Sequence, residues 1–391
     1  MRLLVTSSRM PFALDEIRKF ARCGHRVVAA DALGMAPGSH SRLVEAAVRL
    51  APPEFEPERF LAEVKEVVLA RRIDLVVPCF EEVFYLARHL AELSEVVCVL
   101  ASDFDVLARL HHKARFNTLA REVGIRVPDT TMVTSRRELI AALPPGRRYF
   151  ARPAWSRGGL EALTNAGPLA GARSVDDCDP TPDQPWIVQD YVDGTDVCTF
   201  SVARHGRLSA HCSYVHPRQI EHAGGIVFES IVDPDTLAAA TRIVEATGYH
   251  GQISLDFRRG QDGLVALECN PRPTAGVHLM GDEMLCDAVL EPPNGHVRIV
   301  PAGVRRMYLS AVVRNLVLNW NRAREDLTWL LSVTRDVYAE LDDALPALYQ
   351  VLSYGHVLDW RRRHRHRSER RHTSLVAAYF EGIQWNGGPI P

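Results

Sequence analysis

One short pair of strands carries the side chains best suited to chemistry. Residues 255–272 contain two strand-like runs, the second of them apolar, on either side of a Gln-Asp-Gly turn at 261–263, which predicts a β-hairpin. Glu268 and Asn270 are two apart and project from one face, and Asp256 lies on the partner strand. Such oxygen ligands suit Mg²⁺, which binds through one or two carboxylates together with substrate phosphates. The hairpin therefore predicts a magnesium–nucleotide site, with a surface hairpin whose Glu268 pairs with an arginine as the alternative.

A phosphate site is predicted at an earlier strand. Arg152 stands near the end of the run 149–155 and is followed by small residues. A guanidinium binds phosphate oxygens bidentately, and the backbone N–H groups of a Ser/Gly loop can surround the remaining oxygens. An ordinary turn is the alternative interpretation of a Gly-Gly pair after a strand. The predicted phosphate loop consists of Ser156, Arg157, Gly158 and Gly159.

The run 186–192 is an apolar strand that passes into the polar connection 193–196. A flat purine fits against such a strand, whose backbone groups serve the ring edge, while a carboxylate serves the ribose hydroxyls. A plain edge strand is the alternative. The pattern is thus consistent with a binding site for the base and the ribose of a nucleotide.

Alternating strand and helix patterns precede these sites and predict a doubly wound parallel sheet. Its first turn, residues 6–11, lacks the glycines that a dinucleotide-binding turn needs for close approach to a pyrophosphate. This argues against a nicotinamide-dependent oxidoreductase that would use Asp31 for the ribose. The apolar runs are at 3–6, 27–30, 75–78 and 96–100, and the helical patterns are at 13–23, 58–70 and 82–93.

The rest of the chain predicts an α+β layer followed by a mainly helical extension. A helix opens near His111, His112 and Lys113 and ends before Gly124. Further strands are predicted at 149–155, 186–192, 197–203, 251–256 and 297–300. Further helices are predicted at 234–247, 309–331 and 336–352.

Composition excludes several functional classes. A net charge of −2 over 391 residues gives no global basic field for nucleic acid. The eight cysteines are scattered without a C-x-x-C pair, which indicates reduced thiols. Neither a stretch of 18 apolar residues nor a signal peptide is found, so we expect a cytoplasmic protein without a membrane partner. The Arg-rich run 361–371 could bind an acidic partner, but a solvated helix or loop is the favoured interpretation.

The order of these pieces resembles the ATP-grasp superfamily over about residues 1–290. The resemblance rests on the helix opening at Lys113, Arg152 with its Gly-rich loop, the connection 189–196 and the Glu-Cys-Asn-Pro-Arg element at 268–272. Within the superfamily the sequence looks most like the large chain of carbamoyl phosphate synthetase and single-chain ligases similar to it. An arginine stands there too at the position of Arg152.

The resemblance implies three parts. Residues 1–105 would form a Rossmann-like domain that precedes the catalytic part. Residues 106–295 would form the two-lobed ATP-grasp domain, with a lid at about 125–185. Residues 296–391 would form the C-terminal, mainly helical extension.

The resemblance also implies a role for each candidate residue. The phosphates of ATP would contact Lys113 and Arg152. The mobile lid loop over them would consist of Ser156, Arg157, Gly158 and Gly159. The adenine and the ribose would meet Gln189, Asp190, Val192 and Asp196. One or two Mg²⁺ ions, with Mn²⁺ as the alternative metal, would be bound by Asp256, Glu268 and Asn270. Arg272 would stabilise the anionic acyl phosphate and would be catalytic together with Arg152 and Lys113.

In this superfamily ATP phosphorylates a carboxylate, and a nucleophile, usually an amine, attacks the acyl phosphate to give an amide, ADP and phosphate. The sequence shows no nucleophile elbow and no zinc-protease helix that would compete with this chemistry. Substrate contacts are expected from His278, Arg218 and Thr274, with a core histidine and a solvated loop arginine as alternatives for the first two.

Two other functions stay open at this point. A non-catalytic or regulatory ATP-binding protein would keep the same fold, and a nicotinamide-dependent oxidoreductase is less favoured. The expected partners are a small-molecule carboxylate and amine, and a homodimer is left open. The identity of the acid, and whether an amine, ammonia or a thiol attacks it, does not follow from the sequence.

Overall fold

The computed structural model describes residues 1–157, 161–219, 224–291, 295–318, 323–332, 335–363 and 378–391. Its first layer is the predicted parallel sheet, in the order β3-β2-β1-β4-β5. The strands are β1 (Arg2–Val5), β2 (Arg26–Asp31), β3 (Ala46–Arg49), β4 (Leu75–Val77) and β5 (Cys98–Val99). The helices are α1 (Pro11–Arg22), α2 (Pro57–Arg71), α3 (Glu82–Arg88) and α4 (Leu90–Ser94).

Both faces of this sheet are buried, which explains its near-continuous apolar strands. Leu4 packs in one cluster with Val64 of α2, whereas Leu3 packs in the other with Ile17 of α1. The alternation of side chains along a strand sends neighbours to opposite faces. The carboxyl edge of this sheet, where ligands bind in open α/β sheets, faces the rest of the chain.

The second layer is a mostly antiparallel sheet in the order β14-β13-β10-β11-β12-β16, with β15 paired to β11. Its strands are β10 (Thr195–Arg204), β11 (Arg207–Gln219), β12 (Gly225–Ile231), β13 (Gly251–Gly260), β14 (Gly263–Asn270), β15 (Arg298–Ile299) and β16 (Arg305–Met307). Helices α8 (Pro234–Thr247) and α9 (Asp282–Leu290) pack on it.

The sequence pattern predicted no strand at β11 or β12. The reason is that β11 buries polar side chains, which removes the apolar–polar alternation. His211 hydrogen-bonds Ser201 at 2.8 Å and Ser213 at 3.0 Å, and Ser213 contacts Thr236 at 2.7 Å. Buried polar groups are tolerated when they find such partners.

A smaller antiparallel sheet, in the order β6-β9-β7-β8, stands beside the other two. It has its own core, which includes Val133, Leu139, Ala151, Trp186 and Val188. The strands are β6 (Thr130–Val133), β7 (Tyr149–Pro153), β8 (Leu163–Thr164) and β9 (Trp186–Asp190). The helices that precede and accompany it are α5 (Phe104–His111), α6 (Lys113–Glu122) and α7 (Arg136–Ala142).

The helix predicted at 336–352 is wrong in its first half. Asp336 accepts backbone N–H groups of Leu309 at 2.6 Å and Tyr338 at 3.0 Å, so its carboxylate stabilises a turn and not a helix. The helices of this part are α10 (Leu309–Leu318), α11 (Ala323–Ser332) and α12 (Leu345–Arg363). The Arg-rich run enters α12 up to Arg363, and residues 364–371 lie outside the described residues. Among the described helices, none has the length and apolar character to cross a bilayer.

A buried ion pair ties the C-terminal part to α1. Asp343 accepts from Arg18 Nε at 2.8 Å, and neither side chain is exposed. Asp343 also accepts from the Ser41 hydroxyl and the Arg42 backbone N–H. The pair therefore joins the first sheet to the loop before α12.

We expect Asp343→Ala to lower the free energy of unfolding by about 3 kcal/mol, because it removes the hydrogen-bonded counter-charge of the buried Arg18 and leaves only Glu340, 3.8 Å away and partly exposed. Urea unfolding followed by circular dichroism measures the change. The neighbour Asp342, half exposed, provides the control, and Asp342→Ala should keep the unfolding midpoint of the parent. Equal midpoints for the two variants would contradict the assigned role.

Candidate functional site

The predicted hairpin is present and places the three candidate metal ligands together. β13 and β14 pair antiparallel, with Gly260 opposite Gly263 across a two-residue loop. Asp256 lies opposite Glu268 and Ser254 opposite Asn270. The side-chain amide of Asn270 donates to Asp256 Oδ2 at 3.0 Å. Two carboxylates and one amide thus meet at the end of the hairpin.

The charges at this point fit a divalent cation. Burial, and then repulsion from the neighbouring carboxylate of Glu268, raise the pKa of Asp256. Such repulsion is relieved when a cation binds between them. The described residues contain no group of three or more His, Cys, Asp or Glu side chains that could hold a metal by themselves. Mg²⁺ does not need such a group when phosphates and water complete its ligands.

Two cations flank the hairpin. Arg152 Nη1 donates to Glu268 Oε2 at 2.6 Å, and Lys113 Nζ lies 3.6 Å from the same oxygen. Although burial favours the neutral acid, Arg152 and Lys113 lower the pKa of Glu268. Without phosphates, Glu268 is therefore the anion that neutralises both cations.

Local structure explains how Lys113 and Arg152 come together. His112 caps α6 by accepting the Arg115 backbone N–H at 3.3 Å, so Lys113 occupies the first helical position. The Lys113 backbone N–H donates to Ala154 O at 3.1 Å, which ties the helix start to the strand of Arg152. The Lys113 ammonium also donates to the Ser156 carbonyl. A helix N-terminus beside a cation favours anions such as phosphate.

A buried carboxylate that sequence reasoning missed stands beside this cluster. Glu81 follows β4 at the carboxyl edge of the parallel sheet and has no exposed surface. Arg157 Nε donates to its Oε1 at 2.8 Å, Arg272 Nε lies 3.6 Å from Oε1, and His111 lies 4.0 Å from it. The signal in the sequence was an acidic pair, Glu81 and Glu82, directly after an apolar strand.

Comparison with solved structures decides the fold. N5-carboxyaminoimidazole synthetase from Staphylococcus aureus, solved with ADP, matches with a TM-score of 0.60 at 12% identity, over 83% of this chain and 86% of that one. The biotin carboxylase domain of Hydrogenobacter thermophilus 2-oxoglutarate carboxylase, solved with MgADP, ADP and bicarbonate, gives 0.59 at 12% identity, over 76% and 71%. Both are ATP-grasp proteins. The chain has the ATP-grasp fold.

A third ATP-grasp structure, the L-amino acid ligase from Bacillus licheniformis, matches with a TM-score of 0.54 at 14% identity, over 74% of this chain and 73% of that one. No protein-family model and no curated protein sequence matches the chain. At such low identities the likeness shows the fold, and the roles of individual residues rest on the geometry of the site.

Two of the residues predicted for the lid loop, Ser156 and Arg157, come shortly after β7 of the small sheet. Ser156 is buried, and its hydroxyl donates to Pro153 O at 2.8 Å. Arg157 is buried and bound to Glu81, so it is more firmly held than the expected mobile loop. Gly158 and Gly159 lie outside the described residues.

The residues predicted for adenine and ribose extend from the end of β9 to the start of β10. Gln189 Nε2 donates to Thr130 Oγ1 at 3.1 Å, and Asp190 forms an ion pair with Arg147 at 2.6 Å. Arg258, on the hairpin, donates to Val192 O at 3.0 Å and to Asp196 at 2.8 Å. The connection 190–196 therefore lies next to the β13–β14 hairpin, and its ligand contacts stay a prediction.

A cavity of about 570 Å³ opens beside the hairpin. Asp196, His216 and Arg218 are among the residues that line it. Arg218 is buried, so the solvated loop arginine considered from the sequence is wrong. The cavity brings a buried guanidinium next to the predicted ribose carboxylate.

The other two substrate candidates lie deeper. Thr274 Oγ1 contacts Ser254 Oγ at 2.9 Å and Tyr214 OH at 3.0 Å, behind Asn270. His278 is fully buried, with Nδ1 2.6 Å from Asp15 and Nε2 3.1 Å from Tyr308 OH. This is the placement of a core histidine, the alternative given by the sequence.

Proposed function

We propose that this protein is an ATP-dependent ligase that activates a carboxylate as an acyl phosphate and transfers it to an amine. The observation that carries the proposal is the cluster of Asp256, Glu268 and Asn270 against Lys113 and Arg152 on an ATP-grasp fold. Phosphoryl transfer needs positioned positive charge more than covalent help from protein groups. The cluster provides that charge at one point.

Asp256, Glu268 and Asn270 would hold Mg²⁺, and Lys113 and Arg152 would bind the phosphates. A bound magnesium ion neutralises phosphate charge and orients the transferred group. Entering phosphates would take over the two cations that Glu268 now engages, which frees this carboxylate for the metal. The nucleotide and metal sites are therefore coupled through Glu268.

Arg272 would stabilise the negative charge of the acyl phosphate. It is buried beside Asn270, whose Oδ1 accepts from its Nη2 at 3.2 Å. Among the described residues, its Nε has no hydrogen-bond partner, so one donor is available to an anion. The amine then attacks the acyl carbon, the C–O bond breaks, and phosphate leaves with the amine proton passing to solvent or base.

For the substrate acid we propose the cavity that Arg218 lines. Its guanidinium offers the cation that a carboxylate needs, and His216 and Asp196 complete a polar wall. The similar solved structures differ in their small molecules: one was solved with bicarbonate, and another is an L-amino acid ligase. The fold therefore does not determine which acid is the substrate.

The alternatives have weaker support. A non-catalytic ATP binder would not require Arg272 with an available donor in addition to the metal and phosphate groups. A nicotinamide enzyme would need the Asp31 carboxylate, which Arg9 occupies at 2.6 Å. The three-part domain division, a homodimer, the Mn²⁺ alternative and the cytoplasmic location stay predictions. Nothing in the described residues supports an acidic partner at 361–371.

A screen for ADP release tests the proposal. Pairs of small carboxylates and amines are incubated with protein, ATP and Mg²⁺, and ADP is measured by a coupled assay. Release that requires both partners supports a ligase. ADP binding without turnover for any pair would favour the non-catalytic alternative.

The pH dependence of nucleotide binding tests Lys113. Burial lowers the pKa of Lys113 to about 8. The positive charges of Arg152 and Arg157 act in the same direction, whereas the negative charge of Glu268 raises the pKa. The charged form binds phosphate, and it is lost as the pH rises through this value. We expect MgADP affinity, measured by calorimetry, to fall roughly tenfold between pH 7.5 and 9. Lys113→Arg, which stays charged, should remove most of this dependence; an unchanged dependence would assign it to another group.

A further inference from the structure

The segment 378–391 reaches into the site from the other end of the chain. Arg157 Nη1 donates to Gln384 Oε1 at 2.9 Å, and its Nη2 donates to Trp385 O and Asn386 Oδ1, each at 2.9 Å. The Trp385 backbone N–H donates to Glu81 Oε2 at 3.0 Å. Three consecutive residues therefore hold both members of the Glu81–Arg157 pair.

These contacts bring three donors to the carboxylate of Glu81. Its Oε1 accepts from Arg157 Nε at 2.8 Å, and its Oε2 accepts from the Trp385 N–H and lies 2.7 Å from Arg157 Nη2. Arg272 Nε remains 3.6 Å from Oε1, too far for a hydrogen bond. Arg272 instead lies over the Phe80 ring, 4.5 Å from its centroid.

Without Arg157 in place, Glu81 would be a buried carboxylate whose nearest cation is Arg272. A buried charge seeks a hydrogen-bonded partner, because leaving it unpaired is costly. Glu81 and Arg272 would then form a direct pair, and the available donor of Arg272 would be lost. Arg157 prevents the Glu81–Arg272 pair only while its own guanidinium is hydrogen-bonded to Glu81.

Packing keeps the segment fixed at this place. The Trp385 ring lies 4.5 Å from Phe84, 4.8 Å from Trp155 and 5.2 Å from Phe104, measured between ring centroids. Its indole N–H donates to Gly388 O at 2.8 Å. Aromatic contacts of this kind add to the apolar area that the residue buries. The segment is therefore anchored independently of Arg157.

We propose that residues 384–386 position Arg157 on Glu81 and thereby keep Arg272 available to the reacting anion. The identity of that anion rests on the proposed function, whereas the positioning of Arg157 does not. Asn386 is a positioning residue in this scheme, since it acts through Arg157. Its side chain is exposed apart from this contact, so its removal leaves the core unchanged.

Limited trypsin digestion tests the positioning without a substrate. We expect Asn386→Ala to raise the rate of cleavage after Arg157 about tenfold, the size of one hydrogen bond to a charged group, detected as a fragment of residues 1–157. Asn386→Asp keeps an acceptor oxygen and should restore the parent rate. Pro389→Ala, exposed and in the same segment, is the matched control. Equal cleavage in the Asn386→Ala and Pro389→Ala proteins would overturn the proposal.

Kinetics with a carboxylate and amine pair from the ADP-release screen test the consequence for Arg272. Asn386→Ala should lower kcat about tenfold and leave KM for ATP within about twofold. A raised KM with unchanged kcat would overturn the role assigned to Arg272. If no pair supports ADP release, the proposed function fails while the trypsin result still decides whether residues 384–386 position Arg157.

Discussion

Glu268→Gln is expected to lower the rate of ADP release at least ~100-fold, because it removes the charge of a proposed metal ligand whose side chain is largely buried. Glutamine keeps the size of the side chain and an oxygen that accepts from Arg152, so the hairpin retains its packing. Alanine would leave Arg152 and Lys113 buried beside an empty space and would mix a folding defect with the chemical one. Steady-state ADP release at saturating Mg²⁺ measures the effect.

Glu229→Gln is the matched control for this change. Glu229 lies on β12 of the same sheet and pairs with the exposed Arg305 at 3.0 Å, away from the hairpin. This variant should turn over at the parent rate. If Glu268→Gln also released ADP at the parent rate, the metal assignment to Asp256, Glu268 and Asn270 would be wrong.

Arg272→Met is expected to lower kcat about 100-fold to 1000-fold with little change in MgADP affinity, because in the proposed reaction the guanidinium acts on charge that develops in the transition state. Methionine fills a similar apolar volume over Phe80. Glu81 keeps its hydrogen bonds from Arg157 and Trp385, so no carboxylate is left unpaired. Rapid quench for kcat and calorimetry for MgADP separate the two quantities.

The control for this change is Arg298→Met. Arg298 is partly exposed on β15 and pairs with Asp287 at 3.0 Å. Its loss should leave kcat unchanged. A loss of MgADP binding in Arg272→Met, with kcat unaffected at saturating ATP, would move Arg272 from the acyl-phosphate site to the nucleotide site.

The hairpin and the first sheet could be predicted because each obeys a short-range rule. Glu268 and Asn270 share a face through the two-residue period of a strand, and the structure places them as expected. Leu3, Leu4 and Val5 form a continuous apolar run because both faces of β1 are buried. Such signals lie within a few residues of each other, so a single sequence contains them.

Other parts depend on residues that are distant in sequence. Glu81 gives no periodic signal, since it lies in a turn and its partners Arg157 and Trp385 come from later elements. β11 was missed because partners on other elements, such as Thr236, satisfy its buried polar groups. The false helix at 336–344 has helix-forming residues, but Asp336 and Asp343 bind backbone and Arg18 instead. Tertiary contacts overrode local propensity in each case.

Transfer of oxygen from acid to phosphate tests the acyl-phosphate mechanism most directly. The carboxylate of an active substrate pair is labelled with ¹⁸O in both oxygens, and the phosphate released with ADP is analysed by mass spectrometry. The proposed reaction joins a carboxylate oxygen to the γ-phosphorus and breaks the acyl C–O bond when the amine attacks, so each phosphate should carry one ¹⁸O atom. Amide formation with unlabelled phosphate would contradict activation of the acid as an acyl phosphate.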